Sequence, residues 1–486
     1  MGKYKNLAVN TALFAVNSVA TRLISFVLIP FYTAHMTAGE YGITDMSLAV
    51  INLIGPIATL SIAGAAMRFI VADRARSDEY VAVSVVVAAL SVVVVLLLSP
   101  LLDLGVFGGL GEYKGLFVLT YSLSVLVDLC GNVTRGLGNI SLIPVCAVAS
   151  SLTALVCAFV SIGGLGLGVT GYFISASAGP LVAVVLYFGI GGLGRSLTGG
   201  LKKLRSQRAI RPYLRELCGP MLRYALPLIP NSLFWWAQTS ISRLFITGML
   251  GISASGMFAA AGKIPGLINT AYSIFQQAWQ LSAFQESDKD DLSRFFANVF
   301  CLLQAALVIL GAALSLVSPL LASVLLQGET IGAWTMIPVL LVSNLMNVFN
   351  TFYGTVYTST MHTSYVMRTT VVGSVACVIF TPLLISVLGL FGACLSSLAS
   401  QTLVFVLRAV DSRRYIAFEV GWRYLLPSLA ILVAQSVVTT MQVDGWQTLS
   451  LVCLAMVVII QGVRVLPMAR DFLPAVRRLF LARRNR

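Results

Sequence analysis

The feature that most constrains this chain is a series of long apolar segments separated by short gaps. Residues 81–102 and 446–463 contain no charged side chain at all. A helix of about twenty such residues crosses the roughly 30 Å of hydrocarbon in a bilayer. Only 10% of the residues are charged, whereas a soluble protein of this size carries about 25%. The chain is therefore predicted to be an all-α polytopic membrane protein.

The basic residues are distributed unevenly among the gaps. Of the 32 Lys and Arg residues, 28 fall in alternate gaps, one (Lys114) falls in the other set, and three lie inside apolar segments. Cytoplasmic loops retain Lys and Arg, so the populated side is predicted to be the cytoplasm, with both termini. This topology explains the net charge of +14 without any nucleic-acid partner.

Fourteen transmembrane helices are predicted. They lie near 7–33, 41–70, 80–102, 116–134, 140–162, 168–190, 221–248, 256–284, 294–318, 332–357, 366–387, 390–409, 423–441 and 446–466. The predicted domains are an N-lobe (1–190), a basic cytoplasmic linker (191–220), a C-lobe (221–410), and the last two helices with a basic tail (411–486). We expect the linker to face water and anionic membrane lipids, because Lys and Arg near such a leaflet are stabilised.

A weak internal repeat supports two lobes. TAGEYGITD joins the first two helices and SASGMFAAAGK joins the seventh and eighth, so that Gly42 aligns with Gly256. Six helices per half make the repeat parallel, and such repeats commonly place the substrate path between the halves. The predicted architecture is thus two pseudo-symmetric six-helix lobes around a central cavity, plus two C-terminal helices.

The three cations inside apolar segments are Arg22, Arg243 and Lys263. A cation at the centre of a helix costs about 2.5–3.5 kcal/mol to insert into the membrane, so each of the three is expected to have a structural or functional role. Arg22 shares a polar helical face, which favours a cavity; contacts with carbonyl groups in helix packing are the alternative. Arg243 and Lys263 line a cavity or snorkel to the outer interface. Asp45 falls one helical turn from the repeat position of Lys263, and is either a cavity charge or simply solvated.

Other polar side chains fall in the same helices. Gln276 and Gln280 share one face of the eighth helix and suit either sugar contacts or hydrogen bonds between helices. Asp128, Asn132 and Arg135 are spaced near a helical turn, which favours a local ion pair at the cytoplasmic end.

The motifs of catalysis are missing from the sequence. The chain has two His residues, both in predicted loops, and no phosphate-binding GxxxxGK[ST] or nucleophile–base arrangement. The eight Cys residues show no metal-ligand spacing and fit the role of small core residues. We therefore predict no enzymatic activity, no cofactor and no metal site.

Several stretches resemble a known family. NTALFAVNSVATRLISFVLIPFYT (10–33) and EYGITD (40–45) resemble the first two helices of bacterial polysaccharide, or lipid-linked oligosaccharide, flippases. WWAQTSISRLFI (235–246), GKIP (262–265) and FQQAWQLSAFQE (275–286) resemble the central helices of that family. The family belongs to the multidrug/oligosaccharidyl-lipid/polysaccharide superfamily.

The resemblance implies a function and roles for the charged residues. The implied substrate is an undecaprenyl-diphosphate-linked oligosaccharide, moved from the inner to the outer leaflet of the bacterial cytoplasmic membrane. Arg22, Arg243 and Lys263 correspond to the basic residues of the family motifs and would engage the anionic head group. One departure is Ser242, where the family commonly has Asp, so that Arg243 is expected to lack that partner. Polysaccharide polymerase and assembly proteins are candidate partners.

Two other functions fit the same composition. A cation-coupled multidrug exporter of the superfamily would need buried carboxylates, and only Asp45 and Asp128 lie within predicted helices. A non-transporting scaffold for polysaccharide assembly would use the basic loops and tail. Neutralising the cavity charges would leave a scaffold functional and a flippase inactive.

Overall fold

The computed structural model describes residue 24 and residues 26–207, 209–285, 292–360 and 362–484, and they are mainly helical. The first helices are α1 (Phe26–His35), α2 (Ala38–Ala58), α3 (Ile62–Ala72), α4 (Ser77–Leu98), α5 (Lys114–Gly136), α6 (Leu142–Ala158) and α7 (Gly168–Gly189). They are followed by α8 (Leu193–Arg205), α9 (Ile210–Ala225), α10 (Leu228–Leu250), α11 (Ile252–Ala261), α12 (Gly266–Gln285) and α13 (Leu292–Leu316). The last are α14 (Ser318–Leu325), α15 (Ile337–Ser359), α16 (Thr363–Leu388), α17 (Leu390–Asp411), α18 (Trp422–Met441) and α19 (Trp446–Arg484).

Eleven helical stretches of the described residues are long and apolar enough to cross a membrane. The chain is therefore a multi-pass helical membrane protein, as predicted, although the count of fourteen spans is not reproduced. The predicted segments missing from the eleven are 7–33, 221–248 and 256–284. The first lies largely outside the described residues, and α10, α11 and α12 are too polar or too short. These are the segments in which the sequence places its intramembrane cations.

The start of α2 is fixed by its own side chains. Thr37 and Glu40 form a capping box, in which Thr37 Oγ1 accepts from the Glu40 N–H and Glu40 Oε2 accepts from the Thr37 N–H. A second carboxylate, that of Glu329, accepts from the Ala38 N–H at 2.9 Å. Two acidic groups thus stabilise the positive end of the α2 dipole.

Two of the predicted helices are interrupted. The segment predicted at 41–70 breaks between α2 and α3, where Leu60 and Ser61 adopt left-handed backbone conformations with φ of 53° and 51°. The segment predicted at 256–284 breaks between α11 and α12, at the turn 262–265. Pro265 accounts for the second break, because proline has no N–H to donate. No such residue marks the first break, since neither Leu nor Ser favours a positive φ.

The chain folds into two compact units. The first contains Met1–Met257 together with Gln327–Thr330, and the second contains Phe258–Leu326 with Ile331–Arg486. Helix α10 belongs to the first unit because it packs against α2, through contacts described below. The lobe boundaries at 190, 220 and 410 stay a prediction.

The basic segment 191–220 is folded rather than extended. Gly200 of α8 lies so close to the Asp78 carbonyl that a Cβ there would overlap it, and Leu204 is buried. Lys203 pairs with Asp78 at 3.6 Å, and Arg76 pairs with Glu216 of α9 at 2.9 Å. The segment therefore packs against the first turn of α4, while its other described basic side chains remain exposed.

Each unit has its own packed interior. In the first, one cluster forms around Ile70 and Tyr187 and another around Met46 and Phe173, all buried. In the second, aromatic rings stack between α13 and α15, with Phe300 and Phe352 centroids 5.2 Å apart. Lipid is as apolar as these side chains, so close packing rather than escape from water holds such helices together.

Candidate functional site: a polar cavity beside α2 and α10

The first unit contains a cavity of about 700 Å³. It lies among α2, α3, α4, α5 and α10, and its walls carry polar groups at the depth of membrane-spanning helices. The polar lining residues are Asn52, Thr59, Ser61, Ser124, Asp128, Asn231 and Ser232. Two indole rings, Trp235 and Trp236, complete the wall. A cavity of this size and mixed lining is typical of a small-molecule or head-group site.

The break between α2 and α3 forms part of the cavity wall. Thr59 and Ser61, on either side of the left-handed Leu60, both line it. Gly55, one turn earlier, also lines the cavity, and a Cβ placed on it would meet no atom within 4 Å. The space beside Gly55 is therefore open. Left-handed backbone at non-glycine residues costs about 1–3 kcal/mol and is concentrated at functional sites.

Asp128 is the cavity's one titratable side chain among the lining residues that the structure describes. Its Oδ1 accepts a hydrogen bond from Asn132 Nδ2 at 3.1 Å, and the residue is exposed to the cavity space. The predicted ion pair with Arg135 does not form a direct salt bridge, because in the described part of the chain no Lys or Arg lies within salt-bridge distance of Asp128; the Arg135 charge acts on the carboxylate only through space. Arg135 is seven residues further along α5 and exposed, so its side chain can reach solvent instead.

The tryptophans differ in exposure. Trp236 is buried, and its Nε1 donates to the Ala49 carbonyl of α2 at 2.7 Å. Trp235 is 62% exposed, so its ring is free to stack on a ligand. Trp236 therefore fixes α10 against α2, and Trp235 offers an aromatic surface of the kind that binds the apolar faces of sugars.

Asp45 and Arg243 form an ion pair on the same two helices. Arg243 Nε donates to Asp45 Oδ2, and Nη1 donates to the Thr239 carbonyl at 3.2 Å. Asp45 is 7% exposed, so the solvated alternative for this residue is wrong. The expectation for Arg243 also changes: Ser242 leaves it without the carboxylate of the family motif, but Asp45 supplies one from 198 positions away.

The ion pair lies beside the cavity rather than in its described wall. Asp45 precedes the lining residue Asn52 by seven positions, and Arg243 follows the lining residue Trp236 by seven. Seven residues of helix correspond to about 10 Å along its axis. Helices α2 and α10 thus meet first at the ion pair, then at the Trp236–Ala49 hydrogen bond, and then diverge around the cavity.

The glycines aligned in the internal repeat are in direct contact. A Cβ on Gly256 of α11 would overlap the Ala38 carbonyl, and one on Gly42 would lie 3.1 Å from the Gly256 nitrogen. Gly39 and Ser253 are similarly close, since a Cβ on Gly39 would lie 3.2 Å from Ser253 Oγ. Only glycine permits this approach of two backbones, which is a common mode of helix association in membranes.

The remaining predicted site residues lie in the second unit or outside the described residues. Lys263 is half-buried in the turn between α11 and α12, and Gln276 is half-buried in α12. Gln280 belongs to α12 by its backbone, and its side chain lies outside the described part. Arg22 lies outside the described residues altogether.

The Lys263 turn is held by a pair of asparagines. Asn344 Nδ2 donates to the Pro265 carbonyl, and Asn344 Oδ1 accepts from Asn269 Nδ2 at 2.7 Å. The Pro265 carbonyl at the helix break therefore has a side-chain partner on α15, and Asn269 of α12 holds that partner in place.

One intramembrane cation escaped prediction from the sequence. Arg408 is counted above with the basic residues of the gaps, at the end of the segment predicted at 390–409, but it lies in α17 and is 6% exposed. Its guanidinium donates to Thr369 Oγ1 at 2.9 Å, to Thr370 Oγ1 at 3.1 Å and to the Asn350 carbonyl at 2.6 Å. These partners are neutral and belong to α15 and α16, so Arg408 joins three helices.

Apart from Asp128, Trp235 and Trp236, the residues that line the cavity were also not predicted from the sequence. A usable signal was present, because Ser124 and Asp128, and likewise Asn231 and Trp235, are four residues apart in otherwise apolar helices. That spacing places each pair on one helical face.

Comparisons with known proteins place this geometry in context. The chain matches the family model described as polysaccharide biosynthesis protein over residues 7–280, more than half of its length. No curated protein sequence matches it. Solved structures do match: the lipid II flippase MurJ in an inward closed conformation has a TM-score of 0.69 at 11% identity, covering 95% of this chain and 100% of that one.

Two solved structures of a multidrug resistance MATE family transporter of the MOP superfamily, in different conformations, share the fold as well. The inward-facing structure has a TM-score of 0.63 at 16% identity, covering 82% of this chain and 94% of the other. The outward-facing structure has a TM-score of 0.55 at 17% identity, covering 84% and 95%. These matches show that the chain shares its fold with a solved flippase and with solved transporters. The chain therefore belongs to the polysaccharide biosynthesis protein family, as its resemblance to polysaccharide flippases predicted, and it has the fold of the MOP superfamily.

Proposed function

We propose that this protein is a flippase for a lipid-linked oligosaccharide of the undecaprenyl-diphosphate type. It would move the head group from the inner to the outer leaflet of the bacterial cytoplasmic membrane by alternating access, with both termini cytoplasmic. The observation that carries this proposal is a cavity of about 700 Å³ in a multi-pass membrane protein, lined by amides, hydroxyls and tryptophan. Membership of the polysaccharide biosynthesis family supports it.

The lining chemistry supports a sugar ligand in particular. Asn52 and Asn231 each offer a donor and an acceptor, as sugar hydroxyls require. Trp235, 62% exposed, presents a ring to the apolar face of a sugar. A purely hydrophobic cargo would gain nothing from these groups, because polar groups that lose water without finding partners cost free energy.

For the diphosphate we propose a division of labour among the cations. Arg22 and Lys263 attract the head group, and Gln276 and Gln280 contact sugar or water. Arg243 is held by Asp45, so it joins them only in a state in which that ion pair opens. An anionic ligand gives intramembrane cations a counter-charge, which makes them tolerable.

The test is the leaflet distribution of lipid-linked oligosaccharide in cells that lack the protein. We expect inner-leaflet accumulation that is cured by wild type and by Arg22→Lys, but not by Arg22→Gln or by Asn231→Leu. Gly248→Ala is the matched control, because a Cβ there meets nothing within 4 Å. A normal distribution in the deletion strain would refute the proposal.

Asp128 favours a second candidate, a cation-coupled multidrug exporter. Such a protein needs a carboxylate in its cavity, and Asp128 is one. Efflux of a lipophilic cation such as ethidium separates the two candidates. Efflux that is lost in Asp128→Asn, in cells with a normal oligosaccharide distribution, would establish the exporter.

A further inference from the structure

The cavity combines polar walls with a single carboxyl group. Of the described residues that line it, only Asp128 titrates, and none is Lys or Arg. The carboxyl group has one described hydrogen-bond partner, the neutral amide of Asn132, and it faces open space. A proton or a ligand that enters the cavity can therefore reach it.

The charges on the surrounding helices are engaged elsewhere. On α2 and α10, Asp45 and Arg243 are paired with each other. On α3, Arg68 lies over the ring of Tyr224, 4.9 Å from its centroid. These groups are therefore not counter-ions for Asp128.

The remaining neighbours are α4, α7 and α5 itself. Glu79 of α4 accepts a hydrogen bond from a tyrosine of α9. Tyr80 of α4, Tyr187 of α7 and Cys130 of α5 are neutral at neutral pH by their ordinary pKa values. Arg135 of α5 is exposed and lies too far from Asp128 for a salt bridge, although its positive charge acts on the carboxylate through space. Within the described part of the chain, Asp128 thus has no direct salt-bridge partner.

We propose that Asp128 takes up a proton when an anionic head group occupies the cavity, and releases it when the head group leaves. This inference rests on the proposed function, because it requires a diphosphate ligand. An ionised Asp128 and a diphosphate would repel each other in a site of low dielectric constant. Protonation from cavity water converts the carboxylate to a neutral carboxylic acid, which can donate a hydrogen bond to the ligand. Binding and proton uptake are then linked at one group.

The proposal fixes the direction in which ligand affinity changes with pH. If only the protonated form accepts the ligand, affinity is highest at low pH. It then falls tenfold for each pH unit once the carboxyl group is ionised in the empty cavity. Asp128→Asn copies the neutral acid in shape and charge, so it should bind with the low-pH affinity of wild type at every pH. Asp128→Glu keeps the titration and should keep the pH dependence.

The experiment measures binding to the purified full-length protein in nanodiscs between pH 5.5 and 8.5. The probe is a fluorescent short-chain polyprenyl-diphosphate oligosaccharide. A pH indicator in weak buffer counts protons, and we expect about one taken up per ligand by wild type and none by Asp128→Asn. Asp444→Asn, which removes an exposed carboxylate in the turn between α18 and α19, is the control and should behave as wild type.

Each outcome bears on the proposal. A pH-independent Asp128→Asn with tight binding supports it. An Asp128→Asn that keeps the wild-type pH dependence, or that binds no probe at any pH although it elutes as a folded monodisperse protein, overturns it. If wild type itself binds no diphosphate probe at any pH, the proposed function fails first and this inference with it. Tetraphenylphosphonium binding that strengthens with pH would then identify Asp128 as a cation ligand.

Discussion

The ion pair between Asp45 and Arg243 can be broken by replacing either residue, and the two substitutions should lower the unfolding free energy by different amounts. Asp45→Asn leaves a guanidinium that is 23% exposed and still bonded to the Thr239 carbonyl. Removing one partner of a buried pair costs about 3–5 kcal/mol. Because Arg243 keeps some exposure and its hydrogen bond to the Thr239 carbonyl, the cost of Asp45→Asn in unfolding free energy should be at the lower end of this range, about 3 kcal/mol. That cost should not change with pH.

Arg243→Met leaves a carboxylate that is 7% exposed. That carboxylate can become neutral by taking up a proton, whereas a guanidinium stays charged. For a carboxyl group that ionises near pH 3.9 in water, protonation costs about 4 kcal/mol at pH 7 and about 1.5 kcal/mol at pH 5. The destabilisation of Arg243→Met is therefore limited to about 4 kcal/mol at neutral pH and should shrink by about 2.5 kcal/mol at pH 5.

The assay is reversible unfolding in mixed micelles at both pH values, with each variant compared with wild type at the same pH. The double variant Asp45→Asn/Arg243→Met should recover most of the loss, because no charge is left unpaired. The exposed pair Lys114–Asp103 is the matched control, with an expected contribution of at most about 1 kcal/mol. A penalty for Arg243→Met that is the same at pH 5 and pH 7, or single variants within about 0.5 kcal/mol of wild type, would refute this reasoning.

Three further predictions follow from the packing. Gly256→Ala places a methyl group against the Ala38 carbonyl and should destabilise the protein in the same unfolding assay, whereas Gly248→Ala, which meets nothing, should be neutral or stabilising by up to about 1 kcal/mol. Arg408→Ala removes the donor that joins α15, α16 and α17 and should cost about 3 kcal/mol or more, measured as a loss of unfolding free energy. Gly55→Leu extends into open cavity space, so it should reduce the rate of flipping at least tenfold, while the free energy of unfolding changes by less than about 1 kcal/mol. Transport at the wild-type rate would show that the cavity is not on the substrate path.

Much of the fold was predictable because hydrophobic length is a local property of the sequence. The apolar segments predicted between 80 and 190 and between 294 and 441 appear as helices within about five residues of their predicted bounds. The break at Pro265 was also predictable, since proline cannot donate. The break at Leu60 and Ser61 was not, because it depends on tertiary contacts that hold two ordinary residues at positive φ.

The partners of charged residues were harder to predict. Asp45 and Arg243 are 198 positions apart, and no spacing rule links such residues. Arg408 looked like a loop residue because it lies near Arg413 and Arg414, but one helical turn separates exposed from buried positions. The two glycines that the repeat aligns, Gly42 and Gly256, are in contact in the structure, and the alignment alone did not predict this contact.

The charged groups at membrane depth, taken together, give Asp128 its significance. A charge within a bilayer is tolerated when something neutralises it or hydrogen-bonds it fully. Asp45 and Arg243 neutralise each other, and Arg408 is buried among four acceptors on two neighbouring helices.

Asp128 follows neither rule within the described residues, since one neutral amide is its partner and open space is its neighbour. A group arranged for stability would resemble Arg408, whereas a group arranged to change its charge during a transport cycle needs access to a proton and freedom from a permanent counter-ion. Asp128 faces the cavity and has no salt-bridge partner among the described residues, and under our proposal the tryptophan and asparagine side chains around it would supply the binding surface that such a change of charge controls.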